Sequence, residues 1–160
     1  MRPEPLVPRP MRTAAFLLAA LLALGAVSCA RGGGKRMFTL ELTSLPKANS
    51  CGRETGNSLS FRLVQVVDPT PIAGVPLGSV WDREERVFGA SFVGMKEGYV
   101  DPGQAKKVRF QFELDPKAKA VLFIGSFCKP QGDCWYVTRP LAEGRSLRLT
   151  IDEFCARVTK

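Results

Sequence analysis

The sequence predicts an all-β fold: a two-sheet β-sandwich that carries one or two short inserted helices and is crosslinked by disulfides. Three observations lead to this prediction. Short runs alternate apolar and polar residues, turn signals separate those runs, and an even number of cysteines lies beyond residue 29 in a chain that begins with an export signal. Strands at this spacing, with turns between them, are typical of a β-sandwich.

Residues 1–28 are predicted to be a lipoprotein signal peptide. Three arginines precede an apolar run over 14–24, which is too short to span a bilayer as a permanent helix. The small residues at 26–28 then lead to Cys29, whose thiol is the predicted acceptor of a diacylglycerol, with a further acyl chain on the same residue. A secretory signal followed by an unrelated Cys29 is the alternative, and Met11 is an alternative start.

The mature chain is predicted to consist of a flexible lipid-anchored linker, 29–36, and one β-sandwich domain, 37–160. Three consecutive glycines lie in the linker. The formal net charge of the full chain is +8, and it falls when the arginine-rich signal is removed. The remaining surplus favours an anionic membrane surface or an acidic partner over nucleic acid, because the basic residues are scattered. The densest group, Lys106, Lys107 and Arg109, is interpreted as a solvated strand edge.

The strands are predicted from the pattern of apolar residues. Four runs alternate with period two, as expected of strands with one solvated face: 38–43, 59–66, 108–114 and 147–151. Residues 120–125 are apolar on both sides, so they predict a central strand covered on both faces, with 134–138 as its hairpin partner. Turn signals separate the runs at 101–103, 115–117 and 143–144.

The segment 78–95 departs from the strand pattern and predicts the helical insertion. Ser79 is a candidate N-cap with Asp82 three residues later, and apolar side chains follow at helical spacing. Trp81 and Phe88 are interpreted as anchors that hold this insertion on the sheet, because large aromatic residues are mostly buried. An exposed aromatic binding patch is the alternative.

Four cysteines follow Cys29, and an even count in an exported domain predicts two disulfides. Three connectivities are open. The turn-forming composition of 129–133 favours a bond between Cys128 and Cys134, which leaves Cys51 to pair with Cys155. A metal site or a redox-active pair is weakly supported, because the chain has no histidine and no Cys-X-X-Cys pair.

No catalytic residues are predicted. The absence of histidine excludes serine–histidine–acid and cysteine–histidine chemistry. The adjacent acids at 84–85 and 152–153 do not face one another in a regular helix or strand, and they are interpreted as solvated charges. Gly32–34 follow no predicted strand, so they are interpreted as a tether and not as a phosphate-binding loop. Apart from the lipid on Cys29, no cofactor and no metal is expected.

The order of these features resembles the TssJ (SciN/VasD-type) outer-membrane lipoproteins of the bacterial type VI secretion system. The resemblance rests on the lipobox at Cys29, the strand at 38–43, a polar loop with Asn49, the strand at 59–66, the insertion around 80–82, the turn at 99–103 and the apolar strand at 121–125. It covers nearly all of the mature chain.

The resemblance implies a transthyretin-like sandwich anchored by lipid to the periplasmic face of the outer membrane. It implies a structural, non-enzymatic role: binding the periplasmic C-terminal region of the inner-membrane protein TssM, in a trans-envelope complex that also contains TssL. Outer-membrane sorting agrees with Ala30, since an aspartate at this position commonly retains lipoproteins in the inner membrane.

In that family the loop between the first and second strands is a recognition element. Here the loop is 46–57, with the candidate contact residues Lys47, Asn49, Gly52, Arg53 and Glu54. A disulfide from Cys51 to Cys155 would fasten this loop to the domain and preorganise it for binding. The alternative function is a lipid-anchored periplasmic sandwich that binds a small ligand or glycan, which predicts a concave apolar pocket. A hydrolase without histidine would require a buried pair of carboxylates.

Overall fold

The computed structural model describes residues 35–104 and 107–159. The predicted signal peptide, the lipidation site Cys29, the glycine tether and Lys106 lie outside the described residues. The division of the chain at residues 28 and 36 therefore stays a prediction.

Eight described strands form two four-stranded sheets, which confirms the predicted all-β sandwich. The strands are β1 (Met37–Ser44), β2 (Leu59–Val66), β3 (Phe92–Val100), β4 (Val108–Glu113), β5 (Ala120–Gly125), β6 (Tyr136–Pro140), β7 (Ser146–Ile151) and β8 (Ala156–Val158). The strand orders are β4-β1-β7-β8 in the first sheet and β3-β2-β5-β6 in the second. Strands β1 and β7 are parallel, and the other described pairs are antiparallel.

The hydrophobic core lies between the two sheets and follows the period-two pattern. Phe38, Leu40 and Leu42 of β1 are fully buried, whereas the residues between them are partly accessible. Across the sandwich, the ring of Phe61 in β2 meets the ring of Phe110 in β4 edge-on, with 5.0 Å between their centroids. The aromatic core therefore joins the two sheets.

The helical insertion between β2 and β3 consists of α1 (Leu77–Val80) and α2 (Glu84–Phe88), with one 3-10 turn before them and one after. Short inserted helices are thus present, but the boundaries differ from the prediction, because residues 92–95 belong to β3. Ser79 is not an N-cap. Helix α1 begins after Pro76, whose extended backbone (φ −70°, ψ 148°) precedes the first turn, and Ser79 lies inside it.

The strand registers place the loops at two opposite ends of the sandwich. The distal end comprises the loops 45–58, 101–104, 126–135 and 152–155, since β1 and β7 run towards it while β2 and β4 start from it. The basal end comprises residues 35–36, where the described chain begins, the loops 114–119 and 141–145, and both ends of the β2–β3 connection, 67–91. The eight residues of β1 separate the two ends by about 25 Å.

Both disulfides lie at the distal end, and their pairing corrects the prediction. Cys51 is bonded to Cys128 and Cys134 to Cys155, so the predicted bonds from Cys128 to Cys134 and from Cys51 to Cys155 are wrong. The residues 129–133 do turn, but within a loop that lies between two others. Consequently, the cysteine on each side of the turn faces a different neighbouring loop.

Candidate partner-binding surface

The β1–β2 loop is a tightly folded segment with three left-handed positions within four residues: Asn49 (φ 49°), Cys51 (φ 58°) and Gly52 (φ 84°). Asparagine and glycine tolerate this conformation, whereas it is uncommon for cysteine. The disulfide to Cys128 fixes Cys51 in place. The loop therefore has one specific shape, set by residue type and by a covalent bond.

Asn49 holds the loop from inside and is only 4% exposed. Its Nδ2 donates to the carbonyl of Ser58 (3.1 Å), and its Oδ1 accepts from the backbone N–H of Cys128 (2.9 Å). Its backbone N–H donates to the carbonyl of Asp152 (3.1 Å). The sequence predicts Asn49 as a contact residue, but its side chain points inward and both of its polar atoms form hydrogen bonds within the domain. Asn49 is therefore a positioning residue.

The two disulfides connect three loops of the distal end in series. The bond from Cys51 to Cys128 (Cα–Cα 5.1 Å) joins the β1–β2 loop to the β5–β6 loop. The bond from Cys134 to Cys155 (Cα–Cα 5.0 Å) joins the β5–β6 loop to the β7–β8 loop. Crosslinks of this kind restrict the unfolded chain and hold the loops in one arrangement.

The fourth distal loop packs against the β1–β2 loop without a crosslink. The backbone N–H of Gly103 donates to the carbonyl of Leu45 (3.0 Å), and the hydroxyl of Ser58 donates to Asp101. Gly56 fits closely against Pro102: a Cβ at Gly56 would lie 2.6 Å from the Pro102 ring. All four distal loops therefore form one connected surface.

The outward side of this surface carries exposed charges of both signs, with the basic side chains Lys47, Arg53 and Lys129 beside the acids Glu54 and Asp133. Lys47, Gly52, Arg53 and Glu54 are exposed, as a contact role requires. The Lys129 ammonium lies beside Gly52, only 2.9 Å from where a Cβ would stand. Within the described residues, Lys47, Arg53 and Lys129 form no salt bridge. Sequence reasoning did not single out Lys129, because only the Cys51–Cys128 bond brings it to the loop.

Arg62 is the centre of a second polar cluster, on the outer face of the second sheet. Its Nη1 donates to both carboxylate oxygens of Glu84 (2.8 and 3.0 Å), and its Nε donates to Glu97 (2.9 Å). Asp82 accepts from Nη2, and the guanidinium lies 4.3 Å from the ring centroid of Trp81. Burial alone would lower the pKa of Arg62, but the bonds to Glu84, Asp82 and Glu97 raise it overall.

This cluster corrects one prediction and decides between two others. Glu84 was predicted to be a solvated charge, but it is 4% exposed and buried against Arg62, while Glu85 is exposed. Trp81 is half-buried over Arg62 and Phe88 is buried, which favours their role as anchors of the insertion. The cluster fastens α2 to β2, and its carboxylates are occupied by the guanidinium.

The acids after β7 are also structural rather than freely solvated. Asp152 Oδ1 accepts the backbone N–H groups of Phe154 (2.9 Å) and Cys155 (2.7 Å), and Oδ2 accepts from Arg157 Nε (2.7 Å). Burial would raise the pKa of Asp152, but the hydrogen bonds from Arg157 and the two N–H groups outweigh it and lower that pKa. Glu153 accepts a hydrogen bond from the Ser50 hydroxyl of the β1–β2 loop.

Three clefts beside β3 are open and partly polar. The first, of about 340 Å³, is lined by Ser60, Trp81, Glu97 and Tyr99, and the second, of about 470 Å³, lies between Tyr99 and Phe110. The third, of about 440 Å³, lies beside Met95 and is lined mainly by charged residues of the insertion. None of them matches the concave apolar pocket that the small-ligand alternative predicted. No group of three or more metal-ligating side chains occurs among the described residues. None of the described helices is long and apolar enough to cross a membrane.

The model of the type VI secretion lipoprotein family (T6SS-SciN; VasD, EvfM, TssJ) matches residues 36–152, a segment that includes the β1–β2 loop and both sheets. The chain belongs to this family. A comparison with curated protein sequences found no match.

Solved structures agree with this TssJ-type assignment at the level of the fold. Serratia marcescens Lip, a membrane-bound component of the type VI secretion system, has a TM-score of 0.69 and 13% identity over 78% of this chain and 97% of that chain. The Pseudomonas aeruginosa lipoprotein TssJ1 has a TM-score of 0.66 and 16% identity, over 78% and 95%. A chain from the structure described as the TssM C-terminal domain (869-1107) from EAEC has a TM-score of 0.64 and 15% identity, over 78% and 98%.

These findings confirm the predicted resemblance and the transthyretin-like sandwich. The cysteine bonds are a feature of this TssJ-type chain that its own sequence and structure show: they fasten together the loops around the predicted recognition element.

Proposed function

We propose that this TssJ-type protein is a non-enzymatic, lipid-anchored structural component of the trans-envelope membrane complex of the type VI secretion system. Its distal end binds the periplasmic C-terminal region of TssM, in a complex that also contains TssL. The lipid on Cys29 anchors it to the periplasmic face of the outer membrane.

The observation that carries the proposal is the crosslinked distal end. The loop that the family resemblance identifies as a recognition element is held by Asn49 and by the Cys51–Cys128 bond, so little ordering is needed when a partner binds. It presents Lys47, Arg53 and Lys129 without ion-pair partners among the described residues. Exposed cations of this kind steer and orient an acidic partner.

The direction of β1 supports the anchored arrangement. The chain enters the domain at Lys35, at the basal end, and the β1–β2 loop follows at the other end of the strand. A lipid on Cys29 would therefore attach the domain at its basal end and leave the distal end free to face the periplasm. A partner that reaches across from the inner membrane could then meet the distal end.

The match to a chain in the structure described as a TssM C-terminal domain also supports the proposal. About four-fifths of this chain covers 98% of that chain, so the matched chain is close in length to this domain. The fold of this domain is thus present in a structure described by its TssM C-terminal domain.

Binding should be measured with the mature chain, residues 29–160, carrying Cys29→Ser to keep it free of lipid, and the periplasmic C-terminal segment of the cognate TssM. The test variant reverses the distal charges: Lys47→Glu, Arg53→Glu and Lys129→Glu. The matched control reverses three exposed basal charges: Lys117→Glu, Lys119→Glu and Arg145→Glu.

The distal variant is expected to bind TssM at least about tenfold more weakly, mainly through a slower association rate that is sensitive to salt. The basal variant, which has the same net charge, is expected to bind like the parent chain. Absence of binding by the parent chain at high protein concentration, or an equal loss in both variants, would contradict the proposal.

The anchor is tested separately. Mass spectrometry of the chain purified from membranes should find a diacylglycerol and an acyl chain on Cys29, and Cys29→Ser should move the protein to the periplasmic fraction. A membrane-bound Cys29→Ser protein would show that another element anchors it.

A further inference from the structure

The basal end of the sandwich is the part of the domain that a lipid on Cys29 would hold near the bilayer. Six residues lead from Cys29 to Lys35, and a chain of that length spans at most about 20 Å. The loops 114–119 and 141–145 lie at the same end as Lys35. A tether of this length lets their side chains approach the headgroups to within a Debye length, where surface charges act.

The basic side chains of this end are only partly neutralised by its acids. Two of its acids pair with cations: Glu113 with Lys35 (2.8 Å), and Glu143 with Arg139 (3.4 Å). Asp115 accepts the backbone N–H of Lys117 (2.7 Å), and the nearby Asp68 accepts from Thr70, so both carboxylates keep their negative charge.

Four cations of the same end have no salt-bridge partner in the described part of the chain. They are Arg36, Lys117, Lys119 and Arg145. Arg36 donates to the backbone carbonyl of Asp115 (2.6 Å), and the other three side chains are exposed. They come from three separate segments that the sheet pairings bring to one end, so they form a patch that is not visible as a charge run in the sequence.

We propose that this basal patch binds the anionic headgroups of the membrane in which the lipid is anchored. The proposal rests on the proposed anchor at Cys29, and it adds a second contact that restricts how the domain tilts. A single tether allows the domain to rotate freely, whereas a basic patch beside an anionic surface favours one orientation. When the basal end is bound to the membrane surface, the distal loops point into the periplasm.

The test uses the unlipidated mature chain, residues 29–160 with Cys29→Ser, so that the acyl chains do not mask the contribution of the patch. Its partition onto vesicles of phosphatidylethanolamine with phosphatidylglycerol is compared with that onto vesicles of phosphatidylethanolamine with phosphatidylcholine. Sedimentation is measured at low salt and at 300 mM salt. The variants are the basal and distal charge reversals described above, whose net charges are equal.

The parent chain is expected to bind the anionic vesicles preferentially, and added salt should release it. The basal variant should partition at least about tenfold more weakly, since each cation near an anionic surface contributes roughly a fivefold gain. The distal variant should keep most of the binding. Equal binding to both kinds of vesicle, or a distal variant as impaired as the basal one, would overturn the proposal.

The result is independent of the TssM measurement. If the chain binds vesicles but not TssM, the proposed partner fails and the lipid contact stands. If it binds TssM through the distal end but shows no preference for anionic vesicles, the basal patch fails and the proposed function stands. Thermal unfolding of both variants verifies that the exposed substitutions leave the fold intact.

Discussion

Arg62 and Glu84 form a buried ion pair, with 2.8 Å between Nη1 and Oε1, that joins the middle of β2 to α2. Twenty-two residues separate them in the sequence. Both side chains are largely removed from water, while Asp82 and Glu97, which also bind the guanidinium, remain more exposed. The pair therefore holds the helical insertion against the second sheet. Of the three acids that bind Arg62, Glu84 is expected to contribute most to stability, because it is the buried one.

The first prediction concerns this pair. Glu84→Gln removes the buried negative charge and leaves Arg62 with two partly exposed acids, so we expect a loss of about 2 kcal/mol in the free energy of unfolding. Glu85→Gln removes a charge from the next residue, which is exposed, and should change stability by less than about 0.5 kcal/mol. Urea unfolding of the two variants measures the difference. Equal stabilities would show that the pair contributes nothing.

A second prediction uses two glycines of β3. A Cβ on Gly98 would lie 2.5 Å from Cζ of Phe61, whereas a Cβ on Gly94 would have no neighbour within 4 Å. Phe61 cannot move easily, because it also stacks on Phe123 with 5.3 Å between the ring centroids. We expect Gly98→Ala to destabilise the protein by about 1–3 kcal/mol. Gly94→Ala should be neutral or stabilise it slightly. Denaturant titrations that rank the two variants in the opposite order would contradict this packing.

The third prediction is the disulfide connectivity and its contribution to stability. Peptide mapping without reduction should recover Cys51 linked to Cys128 and Cys134 linked to Cys155. The first bond closes a sequence separation of 77 and the second one of 21. On the chain-entropy model, replacing both cysteines of a bond by serine costs about 4 kcal/mol for the first and about 3 kcal/mol for the second.

The fourth prediction is a dependence of stability on pH through Asp152. Its pKa in the folded protein lies below the ordinary 3.8, so its carboxylate stabilises the fold above that value and loses this effect as the pH falls through the folded pKa. Asp152→Asn should therefore be less stable than the parent at pH 7, and the gap should narrow below about pH 4. Asp133→Asn is the control, an exposed acid of the same end, and should remain within about 0.5 kcal/mol of the parent. A gap that stays constant down to pH 2 would rule out this role of the carboxylate.

The strands that the sequence predicts well are those whose own residues carry the pattern. The alternation at Phe38, Leu40 and Leu42 is visible without any partner, and all three are buried as expected. The apolar run of β5 likewise marks a strand that is covered on both faces. In these segments local residue type and tertiary environment point to the same structure.

Other elements depend on contacts between distant residues, and these could not be predicted. Strand β3 contains two glycines, and two of its large apolar side chains, Met95 and Tyr99, are exposed, so its pattern does not alternate cleanly. Its pairing with β2 defines it instead. Strand β8 has only three residues and relies on pairing with β7.

The distal surface likewise combines features that the local sequence predicts with features that depend on contacts between distant residues. The β1–β2 loop and its exposed residues Lys47 and Arg53 were found from the order of motifs in the sequence. The inward role of Asn49 and the contribution of Lys129 depend on the Cys51–Cys128 bond. The turn composition of 129–133 indicates a different pairing, so these two roles could not be predicted. Cysteine connectivity is a property of the folded chain, and local sequence alone does not determine it.

The fifth prediction distinguishes the effect of the β1–β2 loop's conformation on binding from the effect of its direct contacts with the partner. Asn49→Ala removes the bonds to Ser58 and to the Cys128 N–H and leaves a buried donor and acceptor unpaired, which should cost about 1–3 kcal/mol of stability. Because the loop loses its internal support, TssM binding should weaken as well, although Asn49 is too buried to touch a partner. Thr55→Ala, at an exposed position of the same loop, should leave stability unchanged.

The two effects of Asn49→Ala can be told apart by their kinetics and by a rescue. A loop that must be ordered on binding slows the formation of the stable complex, and this effect is insensitive to salt, whereas loss of Lys47 or Arg53 acts on a salt-sensitive association rate. Asn49→Asp retains the acceptor for the Cys128 N–H but loses the donor to Ser58, so it should recover part of the binding. Unchanged TssM affinity in Asn49→Ala, together with the expected loss of stability, would place the recognition surface away from the β1–β2 loop.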